Sequence, residues 1–337
     1  MLAAYRRTGA DPPFGDPTAY HGVAMEGYYW RVTDPGAGRV VVALLGVSLD
    51  GDGRPWGTVA LAAHPGGLMA QAVAPRAWAD PAGLAVTAHD GDRLLFAAGP
   101  DHVRVDLGPD ARLDVALRGA RRWPAGAAFG AVGPAHAVPA LSQYWHPHLL
   151  GARAHGELRL GGTELVLRDA QAYGEKNWGG GHGFPPAWWW GSAQGFDRDD
   201  ATVAFAGGRA GVGPLHVVAT SLVVALGDDL HRLVRPLQPL SVRVDDAGWV
   251  LRGRTARHRL EVEAHGARGD EHVLPVPVPR ERRTIPGARQ HLAGTLRVRL
   301  ERRGGLVWEG ETRLAGLERG EGPGATGASG PGAGRAG

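Results

Sequence analysis

The chain has 337 residues, a formal net charge of +3, 43% hydrophobic and 21% charged residues. That is enough apolar material for about two domains, each with its own core, and too much for a disordered chain. It has no cysteine, which excludes disulfides and thiolate metal sites; no basic block interleaves with aromatics as a nucleic-acid surface would.

In chain order, Met1 to Asp11 carries Arg6 and Arg7 with no apolar run behind them, so no signal peptide is expected. No stretch reaches the ~20 apolar residues that span a bilayer. Met25 to Val32 opens the first long strand, and Glu26 within its aromatic run is a candidate buried carboxylate or the partner of a surface arginine. Leu68 to Trp78 reads as a short helix interrupted by Pro75. Tyr144-Trp145-His146-Pro147-His148, with His155 beyond, suggests metal ligands, but Pro147 should break the strand that would align the two histidines. No metal site is expected.

Leu158–Leu160 and Thr163–Leu167 form a hairpin through Gly161-Gly162. If the second strand runs on without a bulge, Leu165 and Leu167 share a face with Asp169, Gln171, Tyr173, Glu175 and Asn177. Lys176 then points the other way, unless Gly174 marks a bulge. Lys176 is the only lysine and Asn177 the only asparagine in an arginine-rich chain. An ammonium and a carboxamide are therefore expected to be needed there, where guanidinium and carboxylate would not serve. Gly179 to Gly183 has no following Gly-Lys-Ser/Thr and reads as a mobile loop or close approach, not a phosphate cradle. In Trp188-Trp189-Trp190 the outer two share a face and Trp189 takes the other.

Further on, Ser241–Val244 returns through Asp245 to Gly248, and Leu260, Val262 and Ala264 alternate with charged residues. Leu296, Val298 and Leu300 repeat that alternation and turn back past Gly304-Gly305. From Glu318 the Gly/Ala/Pro/Ser run reads as a disordered tail. Short hairpins and alternation predict an all-β chain of two antiparallel barrel halves, and the 40–50-residue repeat of a propeller is missing. The expected units are residues 18–168, 169–318 and a tail at 319–337.

These motifs resemble the tocopherol cyclase family. The resemblance rests on Tyr173, Glu175-Lys176-Asn177-Trp178-Gly179, Phe184-Pro185, Trp188 to Trp190 and Gln194 in that order. The opening Glu26 to Val32 matches the family's aromatic start, and Gly180 to His182 and Gly183 lengthen the loop before Phe184. The resemblance implies lipocalin-like barrels, related to carotenoid hydratases, and closure of a chromanol ring on a prenylated hydroquinol without a cofactor. The tail alkene is protonated and the phenolic oxygen traps the cation. Glu175 is then the expected acid, with Asp169 or Glu26 in reserve, and Lys176 or Asn177 orients it or binds the phenol. Tyr29, Trp145, Trp178 and Trp189 are the expected lining, beside the motif residues Tyr173 and Gln194. A lysine beside Glu175 would favour ionisation, so an inward Lys176 suits the head group better than the acid. The alternatives are a prenylquinone or lipid carrier and an isoprenoid hydratase. The expected partner is such a hydrophobic small molecule, delivered by transient membrane contact of residues 179–190. The expected location is cytoplasmic and peripheral to the inner membrane.

Overall fold

The alternating pattern becomes twenty-one strands among the described residues of the computed structural model. It describes residues 23–80, 83–124, 127, 129–137, 143–179, 184–212, 215–245, 248–267, 269, 271–303 and 305–321. The side chains of residues 210–212, 215 and 216 are not described. The strands before residue 100 are β1 (Met25–Asp34), β2 (Arg39–Leu49), β3 (Pro55–His64), β4 (Leu68–Ala74), β5 (Arg76–Ala79), β6 (Val86–Asp90) and β7 (Arg93–Ala98). There follow β8 (His102–Asp106), β9 (Ala111–Arg122), β10 (Tyr144–Leu160) and β11 (Thr163–Gly179). Their sheet runs β4-β3-β2-β1-β11-β10-β9-β8-β7-β6-β5. Only Pro75 separates the two edge strands β4 and β5, so the edges are drawn together and the sheet nearly closes.

The second sheet takes β12 (Ala187–Ala193), β13 (Ala201–Val212), β14 (Leu215–Leu226), β15 (Asp229–Arg235) and β16 (Leu240–Val244). It continues with β17 (Gly248–Arg254), β18 (His258–His265), β19 (Glu271–Val278), β20 (Arg283–Arg302) and β21 (Gly305–Glu321). Its order is β15-β14-β13-β12-β21-β20-β18-β17-β16, with β19 on the far half of β20. The two lipocalin-like barrels have separate cores. Trp30, Phe96 and Leu158 belong to the first, and Trp249, Val262 and Leu296 to the second. Each fully buried aliphatic side chain contributes roughly 1.5–3 kcal/mol. A third apolar cluster, with Tyr29, Trp145, Tyr173, Trp190 and Val223, joins the barrels face to face. Arg31 crosses the same seam from β1 and donates to the carbonyls of Leu292 at 2.7 Å and Leu314 at 2.6 Å.

Several expectations change. Residues 68–78 are two strands, not a helix: Leu68 to Ala74 alternates in burial and pairs with β3, while Pro75 ends one strand and leads to the next. Pro147 does not break β10, because a register shift beside it absorbs the missing N–H. The boundary at 168/169 falls inside β11; the chain changes sheet between β11 and β12. Residues 319–321 are strand, and the supposed tail from 322, like the glycine loop at 180–183, lies outside the described residues.

One bulge decides what β11 presents. Ala154 pairs with Ala170 and Gly156 with Leu167, so Arg168 and Asp169 together oppose His155. Asp169 takes the extra position with φ of 60°. The face therefore switches there. Leu165, Leu167, Ala170 and Ala172 all point into the first core, whereas Tyr173 belongs to the seam.

Candidate active site

Between the barrels lies a cavity of about 460 Å³, within the range of small-molecule sites. Both barrels build its wall: Tyr29, Trp145, Glu175 and Asn177 from the first, Trp190 and Glu318 from the second. Val217 and Leu237 line it too and are 46% and 57% exposed, which places them at its rim.

Glu175 is held from beneath. Tyr173 Oη donates to its Oε2 at 2.6 Å and Trp190 Nε1 donates to the same oxygen at 2.8 Å. Both donors land on Oε2, so Oε1 is the oxygen left to carry a proton. Burial pushes the carboxyl up to about 7, against the opposing effect of its donors. It is therefore available in its acid form near neutral pH. Tyr29 pairs directly with Glu175 across β1 and β11, and its ring meets Trp190 edge-on at 5.0 Å. Burial raises the Tyr29 phenol above its ordinary value. Tyr29 Oη lies near Arg31 and Trp145 Nε1 near Glu175, both buried and both outside strict hydrogen-bond geometry. Such groups suit the hydroxyls of a bound molecule.

Asn177 completes the row on this face. Its Oδ1 accepts from Gln143 Nε2 at 3.2 Å. A Cβ on Gly27 would meet that same Oδ1 at 2.7 Å, so Gly27 is the small residue that lets the carboxamide lie flat on β1.

The neighbouring residues point elsewhere. Lys176 and Trp178 face into the first barrel, as strand alternation requires. Lys176 Nζ lies 3.2 Å from Glu26 Oε2 and over the rings of Tyr28 and Trp178, at 5.3 and 5.1 Å. Tyr28 Oη donates to the same Glu26 oxygen at 2.8 Å. Burial lowers the Lys176 ammonium and Glu26 opposes that shift. Neither Glu26, Lys176 nor Trp178 lines the cavity. Trp178 stacks on Tyr144 at 5.4 Å and His136 at 5.8 Å. Asp169 sits exposed on the bulge beside Arg153 and His155, away from the site. Gln194 is a strut between the barrels: its Nε2 donates to the Ala172 carbonyl at 3.1 Å. Of the expected residues, Tyr29, Trp145, Glu175, Asn177 and Trp189 meet at the cavity, with Tyr173 behind Glu175.

Three contributors escaped the sequence reading as site residues: Trp188, Trp190 and Glu318. Trp188 Nε1 donates to Glu318 Oε1 at 2.6 Å, and Gln290 Nε2 donates to its Oε2 at 3.1 Å. Burial pushes Glu318 up to about 7, and the charge of Glu175 adds to the shift. The detectable signal was parity: Leu314, Gly316 and Glu318 continue one face of a strand whose other face holds Ala315 and Leu317. As expected, Trp188 and Trp190 share a face; both are buried at the seam, while Trp189 packs against the second core.

His136, His146 and His148 are buried in the first barrel, where burial holds His136 and His148 down to about 3. Among the described residues no group of three or more ligating side chains converges on a metal position.

Two lipocalin-like barrels that face each other across a carboxylate-bearing apolar cavity define the architectural class of this chain. Residues 125–321 match the tocopherol cyclase-like family model, and the chain belongs to that family. Over 198 residues it is 26% identical to a probable chloroplastic tocopherol cyclase of Oryza sativa subsp. japonica, and 25% identical to the chloroplastic tocopherol cyclase of Zea mays. Each match spans 56% of this chain and 41% of the relative. The fold is similar to kievitone hydratase from Nectria haematococca, with TM-score 0.54, 12% identity and 92% of both chains covered. It is also similar to CghA solved with Sch210972, with TM-score 0.56, 13% identity, and 94% and 97% of the two chains covered.

Proposed function

We propose that the chain is an isomerase that closes a chromanol-type ring on a prenylated hydroquinol, with Glu175 as the proton donor. The observation that carries this is the Glu175 carboxyl itself. It is buried in an apolar cavity, held by two neutral donors on one oxygen, and given no cation. An acid with a value near the working pH is suited to protonating an alkene, and positioned acids contribute about 10²–10⁴-fold.

The reaction needs the tail folded over Glu175 and water kept away. Proton transfer from Oε1 to the less substituted alkene carbon leaves a tertiary cation. The rings of Tyr29, Trp145 and Trp190 stand around this position, and a desolvated cation–π contact is worth roughly 2 kcal/mol. The phenolic oxygen then forms the new C–O bond. Tyr29 Oη, Trp145 Nε1 and Asn177 are the polar groups that would hold the head group. Lys176 has no contact with substrate in this account. The kinship with tocopherol cyclases supports the reaction class.

Incubation of the protein with a prenylated hydroquinol separates the outcomes by mass. A product of unchanged mass with one free hydroxyl fewer is expected. Gain of one water would make the protein a hydratase, and recovery of unaltered ligand bound to the protein would make it a carrier.

A further inference from the structure

Ring closure releases a proton as well as consuming one, and Glu175 accounts only for the delivery. We propose that Glu318 is the acceptor: its carboxylate takes the phenolic proton as the oxygen closes on the cation. This rests on the cyclase reading above and adds a second catalytic residue to it.

The placement comes from register. Trp190 of β12 pairs directly with Glu318 of β21, and the indole of Trp190 reaches across the seam to Glu175. The two carboxyl groups therefore flank one tryptophan on the same cavity wall, one from each barrel. Their donors differ in a way that separates their roles. On Glu175 both donors share Oε2, which leaves an oxygen for a proton. On Glu318 each oxygen accepts one bond, from Trp188 and from Gln290, which favours the carboxylate. Both groups sit near 7, so around neutrality the pair can hold a single proton between them.

The step balances without any further reagent. The Glu175 O–H bond breaks and a C–H bond forms at the alkene. The phenolic O–H bond breaks, the O–C bond forms, and Glu318 gains the proton. Substrate and product are isomers, and the pair ends with its proton on Glu318. That proton returns to Glu175, directly or through solvent, before the next turnover. The other ionisable groups on the cavity wall are Tyr28, Tyr29, Tyr144 and Arg235, with Tyr173 and Arg31 behind it. Burial raises the phenols of Tyr28, Tyr29 and Tyr173, which moves them further from the range of the two carboxyls.

The test is kcat and KM from pH 5 to 9 for the parent, Glu318→Gln, Glu318→Asp and Glu175→Gln, with one prenylated hydroquinol as substrate. The parent profile should be bell-shaped. Glu318→Gln should lose on the order of 10²-fold or more in kcat with KM within a few-fold, and lose the acid limb. Glu318→Asp should keep both limbs at reduced rate, which also covers poor folding of the glutamine variant. Parent-like kcat and an intact bell in Glu318→Gln would overturn the proposal, while an inactive Glu175→Gln leaves the cyclase reading standing. Full activity in both glutamine variants would remove both.

Discussion

Residues 175 and 176 are neighbours on one strand and live in opposite worlds. On the barrel side, Lys176 and Glu26 neutralise each other at 3.2 Å under a roof of aromatic rings. On the cavity side, Glu175 is as deeply placed but meets only neutral donors, the phenol of Tyr173 and the indoles of Trp190 and Trp145. A buried carboxylate given a cation becomes part of the framework. One given neutral donors keeps its proton to a higher pH and becomes a reagent. The lone lysine of the chain thus belongs to the scaffold of the site, one residue from its chemistry.

The comparison is broken most severely at Glu175. Glu175→Gln should lower turnover by about 10²–10⁴-fold and leave folding and ligand binding intact, as read by product formation beside ligand-induced melting shifts. On the other face the effect should be on stability. Lys176→Met strands Glu26 and should cost roughly 3–5 kcal/mol in denaturant unfolding. Adding Glu26→Gln to it should restore much of that loss. Lys176→Arg, which keeps the charge but changes the shape of a fully enclosed group, should also destabilise.

The next effect is smaller and depends on pH. Glu175 and Glu318 have native values near 7 against ordinary ones of 4.5. The folded state therefore holds more protons between those values, and stability falls as pH rises from about 4.5 to 7. Glu318→Gln escapes that loss. Its stability relative to the parent should climb by about 1–3 kcal/mol across the window, the lower end reflecting solvent in the cavity. His136 and His148 act in the opposite sense below about 6.5. They are common to both proteins and cancel in the difference. The smallest effect belongs to Asp169. Asp169→Gly should leave turnover unchanged and stability within about 1 kcal/mol, since glycine tolerates the positive φ of the bulge. A large activity loss there would return Asp169 to the site.

Local patterns carried the all-β class, the hairpins and the cavity face of Tyr173, Glu175 and Asn177. Alternation is a nearest-neighbour property and survives in the sequence. It failed at Asp169 because a single extra residue reverses every side chain upstream relative to those downstream. Glu318 was hidden for a different reason. Its meaning comes from pairing with Trp190, 128 residues earlier, which no local pattern records. Alternation also gave the direction of Lys176, away from the face of Glu175, while its partner Glu26 lies on another strand and was not legible as such. Trp178 and Gln194 followed the motif, while the fold stacked one on Tyr144 and His136 and made the other a strut.

The central claim is that Glu175 protonates the alkene of a prenylated hydroquinol, and deuterium oxide tests it most directly. After the reaction and back-exchange of hydroxyl hydrogens into ordinary water, the cyclised product should retain one carbon-bound deuterium at the position beside the new C–O bond. Glu175→Gln should yield none of that product. A cyclised product without carbon-bound deuterium, or a Glu175→Gln variant that forms it at the parental rate, would contradict the account.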